Sequence, residues 1–303
     1  MNHGLTYITY MVLPDVAEKP PWLRTRVLFP DRSQGMRFSL SSLGLRTVCD
    51  SSRCPNLSDC WGQGHATFMI LGERCTRHCR FCAVPSGSPS APDEGEPERV
   101  AIAVKSLRLK HTVITSVTRD DLEDGGASIF ANVIRQVRWM NPGTTVEVLI
   151  PDLNGRCSSL ETVATSAPDV LGHNLETVRS LQGIRDTRAS YERSLDVLST
   201  VKELEPGIRT KSSLMLGLGE EREEVIVAMK DLLAVGVEML TLGQYLPPAG
   251  SSLPLVRYVP PAEFEGFRSM TVSMGFKGVR SGPLVRSSYD AYDLMMEAGA
   301  RTC

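Results

Sequence analysis

The chain has 303 residues, 42% of them hydrophobic and 22% charged, enough to bury a large core within one α/β barrel. Its 33 Lys and Arg nearly cancel its 35 Asp and Glu, giving a formal charge of −2 with no long runs of either sign, so charge points to neither a nucleic-acid nor a membrane-surface partner. Eight cysteines are too sparse for a disulfide-stapled scaffold, no apolar run is long enough to span a bilayer, and residues 1–29 lack the basic start and apolar stretch of a signal peptide, while Asp15 and Glu18 argue against a transit peptide. The expected setting is a reducing, cytoplasmic one.

In chain order, residues 1–65 show no repeating unit, but Cys49, Cys54 and Cys60 fall together in "CDSSRCPNLSDCW" at C-x4-C-x5-C. Disulfides are the ordinary account of clustered cysteines. Three is an odd number and the compartment is reducing, so a metal centre fits better. Pro55 and Trp61 stiffen and cover such a loop, or serve ordinary packing. From residue 66 onward, short β-branched runs alternate with stretches of helical period. "ATFMILG" (66–72), "HTVITSV" (111–117), "TTVEVLI" (144–150), "DVLGHNL" (169–175), "KSSLMLGLG" (211–219) and "VEMLTLGQYL" (237–246) read as strands. "PERVAIAVKSLRL", "ASIFANVIRQVRWM", "YERSLDVLSTVKEL" and "EREEVIVAMKDLLAVG" read as the helices between them. Six such units predict a partial (βα)6 TIM-type barrel over 66–275, with 1–65 and 276–303 laid over its mouth as extensions.

Directly after the first of those strands comes "CTRHCRFC", with Cys75, Cys79 and Cys82 at C-x3-C-x2-C. On a helix they would form a buried stripe, but Thr76, Arg77, His78 and Arg80 leave Phe81 as the one large apolar companion, and "VPSGSPSAP" soon follows. Zinc is the stronger rival. It asks for four ligands, usually in close pairs, whereas three thiols suit a 4Fe-4S cluster with one iron left open. His78 reads as an exposed loop residue, and Cys157 and Cys303 have no partners in spacing. "GLGE" (217–220) lacks the spacing of a dinucleotide loop and reads as a turn opening the next helix.

From "KPPWLR" (19–24) onward the chain resembles the lipoyl synthase family of the radical S-adenosylmethionine (SAM) superfamily, on "VCDSSRCPNLSDCW", "TFMILGERCTRHCRFC", "VITSVTRDDLEDGGA", "GHNLETV", "LMLGLGE", "TLGQYL" and "SGPLVRSSY". The resemblance implies two 4Fe-4S clusters: one on Cys75, Cys79 and Cys82 that binds SAM and generates a 5'-deoxyadenosyl radical, and an auxiliary one on Cys49, Cys54 and Cys60 that donates sulfur, with Ser287 of "RSSY" as fourth ligand and Ser288 as the neighbouring alternative. It implies insertion of sulfur at carbons 6 and 8 of a protein-bound octanoyl-lysine. Implied partners are octanoylated lipoyl-domain proteins (2-oxoacid dehydrogenase complexes and the glycine cleavage H protein), an electron donor such as flavodoxin or ferredoxin, and iron-sulfur carrier proteins. Phe81, Asn174 and Glu176 are candidate SAM contacts, with rim packing the alternative for Phe81 and helix capping for the other two. Arg119, Asp120 and Asp121 either meet substrate or pair among themselves. Two positions depart from the family pattern: Asp290 follows Tyr289 where the family carries histidine, and "LPPAGSSLP" lacks a histidine near Ser251 or Ser252. A sulfur inserter of the biotin synthase kind and a non-enzymatic metal-binding module are the other readings.

Overall fold

The computed structural model describes residues 18–24, 30–52, 54–248 and 251–299, so Cys303 and residues 1–17 lie outside the described residues. The elements are α1 (Pro30–Ser42), β1 (Arg46–Thr47), α2 (Val48–Ser51), α3 (Leu57–Gly62), β2 (Thr67–Ile70), α4 (Glu96–Ser106), β3 (His111–Ser116), α5 (Ala127–Met140), β4 (Thr145–Leu149), α6 (Cys157–Thr165), β5 (Val170–Gly172), α7 (Tyr191–Leu204), β6 (Arg209–Leu216), α8 (Arg222–Ala234), β7 (Met239–Gln244), α9 (Pro261–Met274), β8 (Gly278–Gly282) and α10 (Ala291–Glu297). The strands form one sheet in chain order; β1 runs antiparallel to β2 and every later neighbour pairs in parallel.

The six expected strands are β2 to β7, and two of the expected helices, α5 and α7, have the predicted ends. Helix α5 buries Phe130, Val133, Ile134 and Val137, each worth about 1.5–3 kcal/mol of transfer energy, and leaves Trp139 outside. A serine side chain starts α7: Ser190 Oγ accepts from Arg193 N at 3.1 Å. The turn over residues 217–220 opens α8 as expected, with Glu220 accepting from Gly217 N and Leu218 N at 2.7 and 2.8 Å.

Two features go beyond the predicted barrel. Helix α9 and β8 add a seventh parallel strand where the chain was expected to stop repeating; "GVRSG" carries a charge and two glycines, and its sequence holds no apolar run to announce it. The sheet also stays open, because β2 and β8 are not neighbours. The segment after β8 fills that gap. Asn56 Nδ2 donates to Leu284 O at 2.6 Å, Thr67 Oγ1 donates to Ser288 Oγ at 2.9 Å, and α10 then buries Leu294 and Met295 against Val170 and Met239, where β5 and β7 begin. The C-terminal extension thus reaches the mouth with Ser287 and plugs the opposite end with α10.

Threading this segment requires close backbone approach at β7, where a Cβ on Gly243 would lie 2.1 Å from Val285 O. Gly243→Ala is expected to displace residues 285–288 and lower stability by about 1–3 kcal/mol, measured by urea unfolding, with faster amide hydrogen exchange confined to that segment.

Candidate active site

A loop that follows β2 and doubles back on itself sets the first three thiols. Cys75 N donates to Pro85 O and Gly87 N to Cys75 O, both at 2.9 Å, closing its base. Between Cys75 and Cys79, Arg77 turns inward and is 5% exposed. Its guanidinium meets both oxygens of Asp120, beyond β3 (3.0 and 2.8 Å), and both oxygens of Asp152, beyond β4 (2.8 and 2.7 Å). Burial by itself would raise both carboxyls and lower the guanidinium. The paired charges outweigh it, holding both carboxyls below their ordinary range and Arg77 above its own. Arg188 extends the network through Asp186 at 2.8 Å and Asp120 at 3.0 Å.

With the loop fixed, backbone amides point at its sulfurs. The N–H groups of Arg77 and Thr118 approach Cys75 Sγ at 3.4 and 3.3 Å, that of Asp186 approaches Cys79 Sγ at 3.3 Å, and that of Val84 approaches Cys82 Sγ at 3.5 Å. Donors of this kind orient thiolate ligands and tune a bound cluster.

The second triad comes from α2, the turn behind it and α3. Cys54 N donates to Cys49 O and Cys60 N to Asn56 O, both at 2.9 Å, and the three cysteines line a cavity of about 340 Å³. Burial pushes the Cys60 thiol up to about 12, helped by Cys49 and Cys54; burial also raises Cys49, against hydrogen bonds from Thr67. Such thiols keep their protons until bound metal displaces them. All seven described cysteines are free, and among the described residues no three His, Cys, Asp or Glu side chains close on one point as a single ion requires.

Between the triads the barrel mouth is hollow. Cys75, Cys79, Cys82, Phe81, Glu176 and Ser287 share one cavity of about 270 Å³. A neighbouring cavity of about 420 Å³ is lined by Cys82, Phe81 and Glu176 together with Cys54, Arg286 and Ser287. Asn174 lines both and donates to Glu176 Oε1 at 3.2 Å. Neither residue caps a helix, since the next helical turn starts after Val178 without a side-chain cap. Glu176 holds a left-handed φ of 70°, pinned by Ser213 O and Met215 N at 3.0 and 2.8 Å; burial pushes its carboxyl up, against Arg185 and Asn174. Phe81 also packs on the rim cluster of Ile184, Tyr245, Leu253 and Leu255.

The radical SAM superfamily pattern matches residues 69–232. Lipoyl synthase of Oceanobacillus iheyensis is 50% identical over 93% of this chain and 90% of its own length, and that of Symbiobacterium thermophilum 50% identical over 95% and 90%. The chain belongs to the lipoyl synthase family. Lipoyl synthase of Bacillus mycoides, at 49% identity, covers 94% of this chain and 96% of its own. Membership in the lipoyl synthase family makes the chain a radical SAM sulfurtransferase acting on octanoylated protein, with SAM and two 4Fe-4S clusters as cofactors. Among solved structures, HydG, a maturase of the [FeFe]-hydrogenase, aligns with TM-score 0.55 at 14% identity over 88% of this chain and 70% of its own. Methylornithine synthase aligns with TM-score 0.52 at 14% identity over 91% and 82%. These last two likenesses speak for the fold alone.

Within this lipoyl synthase fold the two family departures acquire partners. Asp290 adopts φ 53°, a conformation that Asp tolerates, and accepts from Arg280 Nε at 2.7 Å. Ser251 Oγ donates to Arg80 O at 3.2 Å, fastening the loop after β7 to the cysteine loop. Arg119 pairs with Asp121 at 2.8 Å and Asp120 with Arg77, so their charges are engaged within the protein. His78 is exposed, its Nδ1 2.9 Å from Ser86 Oγ, and Cys157 is the exposed first residue of α6. Trp61 is buried beneath the Arg37 guanidinium, 5.2 Å above its ring. Sequence reasoning passed over the Arg77 to Asp152 bridge, Asp186 and Arg286; only Arg286 carried a signal, as the first residue of "RSSY".

His173, ending at the mouth beside Asn174, gives a pH handle. Its Nδ1–H donates to Ile150 O at 2.9 Å and Nε2 lies 3.0 Å from Ser194 Oγ, while burial, then the charge of Arg185, lowers its pKa to about 4. The unfolded chain binds this proton first, so the contribution is complete above about pH 6.5 and lost as pH falls through the folded value. His173→Gln is expected to remove roughly 3 kcal/mol of the wild-type loss in stability between pH 7 and pH 4, measured by urea unfolding of both chains across that range.

Proposed function

We propose that Cys75, Cys79 and Cys82 hold the SAM-binding cluster, that Cys49, Cys54, Cys60 and Ser287 hold the sulfur-donating one, and that the octanoyl-lysine arm reaches between them. The observation that carries this reading is the single cavity of about 420 Å³ lined by Cys82 of one triad, Cys54 of the other and Ser287. When bound, the two clusters and SAM supply a carbon radical on one side and sulfide on the other. The chain's own contribution is placement. Glu176, pushed up by burial, gains its charge back beside the ammonium of SAM or binds a ribose hydroxyl, with Asn174 fixing its orientation. Phe81 and the Tyr245 rim offer an apolar face to adenine or the acyl chain.

Ser287 is favoured over Ser288 because the Ser288 hydroxyl is engaged by Thr67 Oγ1, whereas among the described residues the Ser287 hydroxyl has no hydrogen-bond partner. On this reading the chain divides by job: 1–65 brings the auxiliary cysteines, 66–275 the SAM barrel and 276–303 the serine. Its partners are the lipoyl domains of 2-oxoacid dehydrogenase complexes and the glycine cleavage H protein, a flavodoxin or ferredoxin as reductant, and iron-sulfur carriers. No described helix is long and apolar enough to cross a membrane. The free thiols suit the cytoplasm.

Conversion of an octanoyl-lysine peptide by the reconstituted chain with SAM and reductant tests the function; absence of lipoyl product at about eight irons per chain would sink it. Cys79→Ala is expected to abolish 5'-deoxyadenosine formation, while Cys54→Ala keeps at least about half of it and forms no lipoyl product. Equal loss in both variants, at matched folding, would contradict the division of labour.

Ser287→Cys is expected to assemble the auxiliary cluster yet slow sulfur insertion by about tenfold or more, since thiolate leaves iron less readily than oxygen does. Ser288→Ala should stay within about twofold of wild type, and product analysis by mass spectrometry separates the two serines.

A further inference from the structure

Two arginines at the cysteine loop come with carboxylates: Arg77 has Asp120 and Asp152, and Arg188 has Asp186 and Asp120. Arg185 has no ion pair among the described residues, but its guanidinium donates to Gln182 Oε1 and Ser194 Oγ. Arg286 differs from all three. It is half-buried, it lines both the cavity of Cys49, Cys54 and Cys60 and the cavity between the triads, and among the described residues no carboxylate reaches it. Among the described residues its one hydrogen bond goes to the neighbouring carbonyl, Val285 O, at 2.7 Å, leaving the remaining guanidinium N–H groups unanswered, and the ionisable side chain acting on it is Cys54.

A partly desolvated cation without an acidic partner belongs to an anion that the protein itself does not provide. We infer that Arg286 is the counter-charge of the auxiliary cluster, donating hydrogen bonds toward its sulfur ligands. The inference rests on the assignment of Cys49, Cys54 and Cys60 as ligands. Three thiolates and an alkoxide around one cluster leave net negative charge, and one guanidinium at the wall between the cavities offsets part of it without becoming a ligand. Removing a nearby positive charge makes such a cluster harder to reduce.

The test uses the reconstituted full chain, R286Q and R286K, with iron counted and reduction followed by electron paramagnetic resonance. The signal that changes on adding SAM reports the cluster of Cys75, Cys79 and Cys82; the other reports the auxiliary cluster. R286Q is expected to move only the SAM-insensitive midpoint, to lower potential, with SAM affinity within about twofold of wild type, and R286K to restore it. An unmoved midpoint in R286Q overturns the inference, as does SAM binding weakened by about tenfold or more, which would place the guanidinium on the SAM carboxylate. If R286Q cannot keep the auxiliary cluster, retention in R286K at the wild-type midpoint supports the counter-charge, and loss from both overturns it. A wild-type chain holding about four irons would overturn the ligand assignment and this inference together.

Discussion

The Arg77 guanidinium, gripped by four carboxylate oxygens from two strand-end loops, is the interaction on which the mouth of this barrel depends. It sits inside the cysteine loop itself, so fixing Arg77 fixes the thiols on either side of it. Through Asp120 and Asp152 the loops after β2, β3 and β4 become one body, and through Arg188 and Asp186 the loop after β5 joins them. Burying this cation with one carboxylate would leave it poorly compensated; with two, and Asn154 Oδ1 at 2.9 Å, most of its donors are met. Breaking such a pair from one side typically costs about 3–5 kcal/mol. The loop is therefore held by the protein's own ion pairs, and a group bound to its thiols need not supply all of its ordering entropy.

A second constraint follows from the open sheet. Because β2 and β8 do not pair, the ends of the sheet are bridged otherwise: β1 covers β2, and the returning segment after β8 is tied to that side of the sheet by the side chains of Asn56 and Thr67. The same segment that closes the gap carries Arg286 and Ser287 to the mouth. The close approach of Val285 to Gly243 couples the position of this segment to β7.

Much of this was legible in the sequence, and for identifiable reasons. The strands β2 to β7 announce themselves by β-branched runs, α5 and α7 by an apolar stripe, and the two triads by spacing that no packing argument requires. What stayed hidden were partnerships between residues far apart in the chain. Arg77 and Asp152 are 75 positions apart, and either alone reads as an ordinary loop charge. Arg119, Asp120 and Asp121 look like one charged group, yet Asp120 turns to a different loop from its neighbours. The strand β8 was missed because three of its five residues are partly exposed and it needs no apolar face to pair with β7.

The adjacent serines of "RSSY" show how such partnerships assign function. Both hydroxyls are half-buried on the same segment; the family resemblance favours Ser287, and the structure distinguishes the two. Ser288 Oγ accepts from Thr67 Oγ1 at the start of β2, and Thr67 in turn faces Cys49, whereas Ser287 lines the cavity shared with Cys54 and Cys82. A hydroxyl held by another hydroxyl is a poor candidate to approach and leave iron, whereas one held only by its neighbour's position can do both. The proposed assignment of Ser287 as the exchangeable ligand rests on this difference: among the described residues only Ser288 has its hydroxyl engaged within the protein.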